Sequence, residues 1–209
     1  MATLAELRSR LRVLLNDDAA KGYLWSDAVL DLHLNDALRD YGRAIPRQGE
    51  IIIAIVAGEG EYDLPADCLA VIRVEVAAAA DQGDHRFLLR EIGDADGPGY
   101  EVYGGRLIIR PTPSEAGASL MVRYLASHAA LAVDGDPSTA PAADEDLLLA
   151  FACAEALQGL STEEAKRQRF EDRAGRSAEA AAALCRQQYE RGIRARTAVV
   201  RAGRLVAAS

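Results

Sequence analysis

Leucines stand at positions 4, 7, 11 and 14, three or four residues apart, with polar residues between them. That spacing is the apolar stripe of an amphipathic helix. Thr3 followed by Glu6 forms a capping box at its start, and Asn16-Asp17-Asp18 ends it, so a helix is expected over 3–15. A second stripe runs through Leu30, Leu34, Leu38, Tyr41 and Ile45. Ser26 caps it, Asp27 places an acid where the helix dipole favours one, and Pro46 stops it, which predicts a helix over 26–45. The period then shortens. EIIIAIVA (50–57) and LAVIRVEV (69–76) are rich in β-branched residues and predict strands. GEGEYDLPADC between them is turn-rich. Residues 86–90 suggest a third strand, and YEVYGGRLIIR (100–110) a hairpin whose turn is Gly104-Gly105. Pro111 and Pro113 stop the pairing, and ASLMVRYL (118–125) is a further strand. Residues 129–140 read as a loop.

Pro141 suits a first helical turn, and Asp144, Glu145 and Asp146 load that turn with acid. LLLAFACAEALQGL follows, apolar nearly all round, which predicts a central buried helix over 141–160. Ser161 or Thr162 restarts a polar outer helix over 162–194, with Glu163–Arg167 and Asp172–Arg176 as i,i+4 pairs. Residues 195–209 suggest a tail with weak strand character at Thr197 to Val200. The expected fold is α+β: an antiparallel bundle of two N-terminal and two C-terminal helices, an inserted small antiparallel β region over 49–127, and a flexible C-terminal tail. Residues 1–194 would form one domain.

Composition sharpens this. Half of the 209 residues are hydrophobic but only 5% are aromatic, so alanine and leucine must build a thin helix core. The net charge of −8 makes the whole molecule a poor candidate for a general nucleic-acid binder. That charge is split: the first 160 residues carry −13 and the remainder +5. Arg191, Arg194, Arg196, Arg201 and Arg204 occur with no acid after Arg191, interleaved with Val199, Val200 and Leu205. This is either a solvated, frayed terminus or an arm that docks on an acidic partner. Cys68, Cys153 and Cys185 lie far apart in sequence without CxxC spacing, and suit small buried hydrophobes in a reducing compartment. No secretory leader or membrane span is expected, so the chain would be made in a cytoplasm and stay soluble. Arginine far outnumbers lysine, which suggests a high-GC genome.

Candidate chemistry is sparse. GYLWSDAVLDLHLNDALRDY (22–41) holds the only tryptophan, Trp25, and places His33, Asp36 and Asp40 on one flank of the second helix. A metal site, a plain surface and an intersubunit flank all fit that spacing. Trp25 would staple the helix start ahead of the Ser26 cap. His85 and His128 suit solvated surface positions. GDADGPG (93–99) and DGD (134–136) lack the further ligands of a calcium loop and read as turns. There is no GxSxG elbow, P-loop, GxGxxG or HExxH. No catalytic, metal or cofactor residue is assigned, and an enzyme is not expected.

The order of segments carries one resemblance. LAELRSRLRVLLND, YLWSDAVLDLHLNDALRDYGR, EYDLPADCLAVIRVEV, YEVYGGRLIIRPTPSEAGASLMVRYLA and DEDLLLAFACAEALQGLSTEEAKRQRF together span most of residues 4–170. In this order they resemble the head-to-tail adaptor (connector) proteins of tailed bacteriophages and prophages. None is a catalytic motif; each is a packing or turn pattern. The resemblance implies a structural virion protein at the head–tail junction, assembled in the host cytoplasm. It implies a ring, usually of twelve copies, beneath the portal, extending the DNA channel without sequence-specific binding. Tail or nozzle proteins would sit on the ring, and the C-terminal segment would reach the portal. Rival expectations are another neck protein, such as a head-completion plug or tail terminator, and a small ligand-binding or hydrolytic domain using the acidic loops.

Overall fold

The computed structural model describes residues 1–77, 86–92, 98–160 and 163–207. The chain divides into two compact units, Met1–Ile45 with His128–Ser209, and Pro46–Ser127. The β region expected over 49–127 therefore lies in a unit of its own.

The first unit contains α1 (Leu4–Leu14), α2 (Asp27–Ala44), α3 (Glu145–Gly159), α4 (Glu164–Ala174) and α5 (Ala178–Ala207). The capping box at α1 forms as expected: Thr3 Oγ1 accepts from the Glu6 amide at 3.3 Å, and the Thr3 amide donates to Glu6 at 2.9 Å. Leu4, Leu7 and Leu11 are buried, as are Leu30, Leu34, Leu38 and Tyr41 of α2. α3 is buried nearly all round, and its Ala150, Ala152, Ala154 and Ala156 let neighbouring helices come close. Each fully buried leucine of this core stabilises the fold by roughly 1.5–3 kcal/mol.

Two expectations for the C-terminal third are corrected. The single helix over 162–194 is two helices. Gly175 ends α4 in the left-handed conformation (φ 62°), its amide donating to Glu171 O at 2.9 Å. Ser177 Oγ then accepts from the Ala180 amide at 3.1 Å and opens α5. Its proposed restart at Ser161 or Thr162 lies outside the described residues. Secondly, the segment from 195 is not a tail with strand character, because α5 continues through Ala207. The β-branched run Thr197–Val200 is short, and extending an existing helix costs far less than nucleating a new element. The expected pairs also shift: Lys166 joins Glu163 at 2.7 Å and Arg167 joins Glu164 at 2.5 Å, both at i,i+3. Asp172 instead accepts from Gln168 at 3.1 Å.

The second unit is larger than the small antiparallel region expected. Among the described residues it has seven strands, β1 (Arg47–Ala54), β2 (Glu61–Asp63), β3 (Cys68–Ala77), β4 (Arg86–Glu91), β5 (Gly99–Tyr103), β6 (Arg106–Arg110) and β7 (Ser119–Ala126). They lie in the order β1-β7-β3-β4-β5-β6-β2. All neighbours are antiparallel except β4 and β5, which run parallel. β2 was hidden in the turn-rich passage. Tyr62 is its buried residue, with its hydroxyl donating to Glu59 O at 2.9 Å, and Arg106 of β6 pairs with Glu61 at 3.0 Å and Asp63 at 3.2 Å. The β5–β6 hairpin turns at Gly104 (φ 61°) and Gly105 (φ 80°), the paired positive angles that a two-residue turn demands. Val74, Val76, Leu89, Leu107, Leu120 and Val122 lead the core of this unit.

Candidate functional site

The α2 flank is not one site. Trp25 is buried, its indole N–H donating to Ala156 O at 3.3 Å and its ring meeting Phe170 edge-on at 6.4 Å. It thus ties the start of α2 to α3 and α4, well beyond the local staple expected. Ser26 caps α2 by accepting from the Val29 amide at 3.4 Å. Asp36 bonds Arg39 at 2.8 Å on the surface. Asp40 accepts from the Tyr189 hydroxyl of α5 at 2.6 Å. His33 is half-buried and lines a small cavity of about 220 Å³ with Trp25, Val29, Leu160 and Lys166. Burial pushes its imidazole below the ordinary value of 6.5, against the opposing pull of Glu155 and Asp36. Burial and the bond to Asp40 push the Tyr189 phenol upward. Among the described residues, no three His, Cys, Asp or Glu side chains gather as a metal would require.

The acids at the start of α3 are pins between elements, a role that helix-dipole reasoning misses. Asp144, 5% exposed, accepts from the Tyr41 hydroxyl at 2.6 Å and from Arg196 Nε at 2.9 Å. Burial and this bond push the Tyr41 phenol up. Glu145 accepts from Arg10 at 2.8 Å and from the Ala2 amide at 2.6 Å, while Arg10 also reaches Asp146 at 2.7 Å. His128 is not a solvated histidine: its ring nitrogens lie 2.9 Å from Thr139 Oγ1 and 3.0 Å from Ile45 O, and its ring meets Tyr41 edge-on. His85 lies outside the described residues.

The arginines of the C-terminal segment therefore divide. Arg196 holds Asp144 inside the helical unit. Arg191 and Arg194 are exposed, Arg194 pairing loosely with Glu190 at 3.3 Å. The backbone through Val199, Val200, Arg201, Arg204 and Leu205 continues α5. By helical spacing, positions 191, 194, 201 and 204 fall on one side of the helix and 196 on the other.

The sheet carries a surface that periodicity reasoning passed over. Pairing across β1, β7, β3 and β4 aligns Ile52 with Met121, Met121 with Glu75 and Glu75 with Leu88. These residues lie on the face away from Val74, Leu120 and Val122. Ile52 is 65% exposed and Leu88 56%, Met121 is half-buried, and Glu75 is nearly covered and bonded to Arg73. The next row holds Glu50 opposite Arg123, joined at 2.9 Å, and Arg123 opposite Arg73. Leu69 and Ile72 of β3 are also exposed. One signal was present: Ile51-Ile52-Ile53 is a run, not an alternation, so β1 has apolar residues on both faces.

No helix among the described residues is long and apolar enough to cross a membrane. None of the curated proteins matches the chain in sequence. The profile of one family, described as SU10 adaptor protein, matches residues 2–208. That span takes in both units and the whole order of capped helices, glycine hairpin and apolar α3 that carries the resemblance. The chain belongs to this family of head-to-tail adaptors of tailed bacteriophages, structural proteins and not enzymes.

Proposed function

We propose that the protein acts as one subunit of a closed adaptor ring of about twelve copies, seated beneath the portal at the head–tail junction. The observation that carries this reading is the outer sheet row of Ile52, Met121 and Leu88, flanked by the Glu50–Arg123 pair. Exposed Ile52 and Leu88 on either side of half-buried Met121 and the Arg73–Glu75 pair, bordered by the Glu50–Arg123 pair, make a mixed surface that suits cover by a neighbouring copy. The ring extends the DNA channel and offers a platform to tail or nozzle proteins. The net negative charge favours a wall along which DNA slides, since few basic groups are left to hold phosphates. The portal-facing element is the end of α5, where Arg191, Arg194, Arg201 and Arg204 recur without acids. His33 and Asp36 belong to the helical unit's own surface and remain a second candidate flank for a neighbour.

Mixing the purified protein with portal rings and measuring the mass of the product tests this directly. Incorporation of about twelve chains per portal is expected. Failure to bind portal at micromolar concentrations would overturn the proposal.

A further inference from the structure

Cys153 stands in the middle of α3 and is buried; Cys185 stands on α5 and is half-buried. Both are free thiols, 32 residues apart in sequence, and their sulfurs lie 3.3 Å apart. A disulfide bond is about 2.05 Å long, so joining them needs an approach of little more than one ångström. Around them the two helices are held in place by Tyr189 stacking edge-on against Phe151 at 5.0 Å, and by the ion pair of Arg186 with Glu155.

From this juxtaposition, we propose that Cys153 and Cys185 form a redox-modification site, a dithiol that a small disulfide oxidises to a covalent staple between α3 and α5. The less buried member reacts first. The Cys185 thiolate attacks one sulfur of the small disulfide and expels the other as a thiolate, leaving a mixed disulfide on Cys185. Cys153 then gives up its proton and attacks Cys185 Sγ, expelling the second small thiolate. Two protein thiols are thereby oxidised and one small disulfide is reduced to two thiols. The surroundings favour this order. Cys185 is pushed down to about 7 by its hydrogen bond with Cys153 and by nearby Arg176, while that same bond and burial hold Cys153 up. Cys68, in the sheet unit, is pushed up by burial and by Asp67, and makes a poor first nucleophile. The staple encloses α4 and fixes α5 along α3. The thiol form suits a reducing cytoplasm and the disulfide an oxidising medium.

Treatment of the full chain with oxidised glutathione, followed by intact-mass and non-reducing peptide analysis, tests the site. The expected product has lost about 2 Da, links the peptides carrying Cys153 and Cys185, and is restored by dithiothreitol. Its melting temperature rises by roughly 5–10 °C. Cys68→Ser keeps all four effects and Cys185→Ser abolishes them. An unchanged mass, a glutathione adduct that persists on Cys185, or a crosslink through Cys68 overturns the proposal. These readouts come from the wild-type chain, so they stand even if a cysteine variant folds poorly.

Discussion

At the scale of single residues, buried polar groups bind helices distant in sequence. Tyr189 and Asp40 are 149 residues apart, and Tyr41 and Asp144 are 103 apart. Removing one partner leaves the other desolvated without its bond, which costs about 1–3 kcal/mol. Tyr189→Phe is therefore expected to destabilise the helical unit by about that much in a denaturant titration. Tyr189→Phe combined with Asp40→Ala should cost less than the sum of the two single changes.

His33 gives a pH dependence. Its folded pKa lies below the ordinary 6.5, so between those two values the unfolded chain binds more protons. Stability is then complete above 6.5 and declines as pH falls through that window. His33→Gln should flatten this slope, as followed by thermal melts from pH 8 down to about pH 5. The two phenols act at the other end. Their folded pKa values lie above the ordinary 10.0, so stability falls as pH rises beyond it.

At the scale of elements, the local signals in the sequence were reliable where they were stereochemical. The Thr3–Glu6 box, the Ser26 cap and the Gly104-Gly105 turn each dictate their structure within four residues, and all three formed. Other features are decided by context. Gly175 is one glycine in a polar helical run, yet it ends α4 because the chain reverses there and Ser177 offers the next cap. β2 is three residues long, too short to show an alternation. The parallel β4–β5 pair leaves no local mark at all, since strand direction is set by the path of the chain between them. The triad of Tyr41, Asp144 and Arg196 was equally invisible, because each residue had a simpler local reading.

Gly192 shows the same lesson in packing. A Cβ there would come within 2.1 Å of Leu147 on α3, so α5 is seated on α3 through the absence of a side chain. In Gly192→Ala the half-buried Leu147 side chain must turn aside, which offsets the gain in helix propensity, so this variant is expected to be less stable than Gly159→Ala by about 1 kcal/mol. At Gly159, near the end of α3, a Cβ meets nothing within 4 Å. Gly159→Ala should therefore be neutral, or stabilising by up to about 1 kcal/mol from helix propensity. Thermal denaturation of the two variants side by side checks the contrast.

At the scale of the whole molecule, the order of elements along the chain resembles the family, and the match over residues 2–208 shows that the chain belongs to it. The family's role rests on surfaces, and surfaces are the part of this sequence that periodicity describes least. Polar flanks such as Asp40 proved to be internal ties, while apolar runs such as Ile51-Ile52-Ile53 left side chains open on the outer sheet face. The central claim is that this face closes a ring on the portal. It is tested most directly by native mass measurement of the portal mixed with wild-type chain, and with the double variant Ile52→Glu, Leu88→Glu. Both sites are exposed, so the variant should fold. If this face closes the ring, about twelve wild-type chains bind per portal, and the variant loses ring occupancy by at least tenfold at equal concentration. Full occupancy by the variant, or wild-type chains bound singly with no ring, would contradict it.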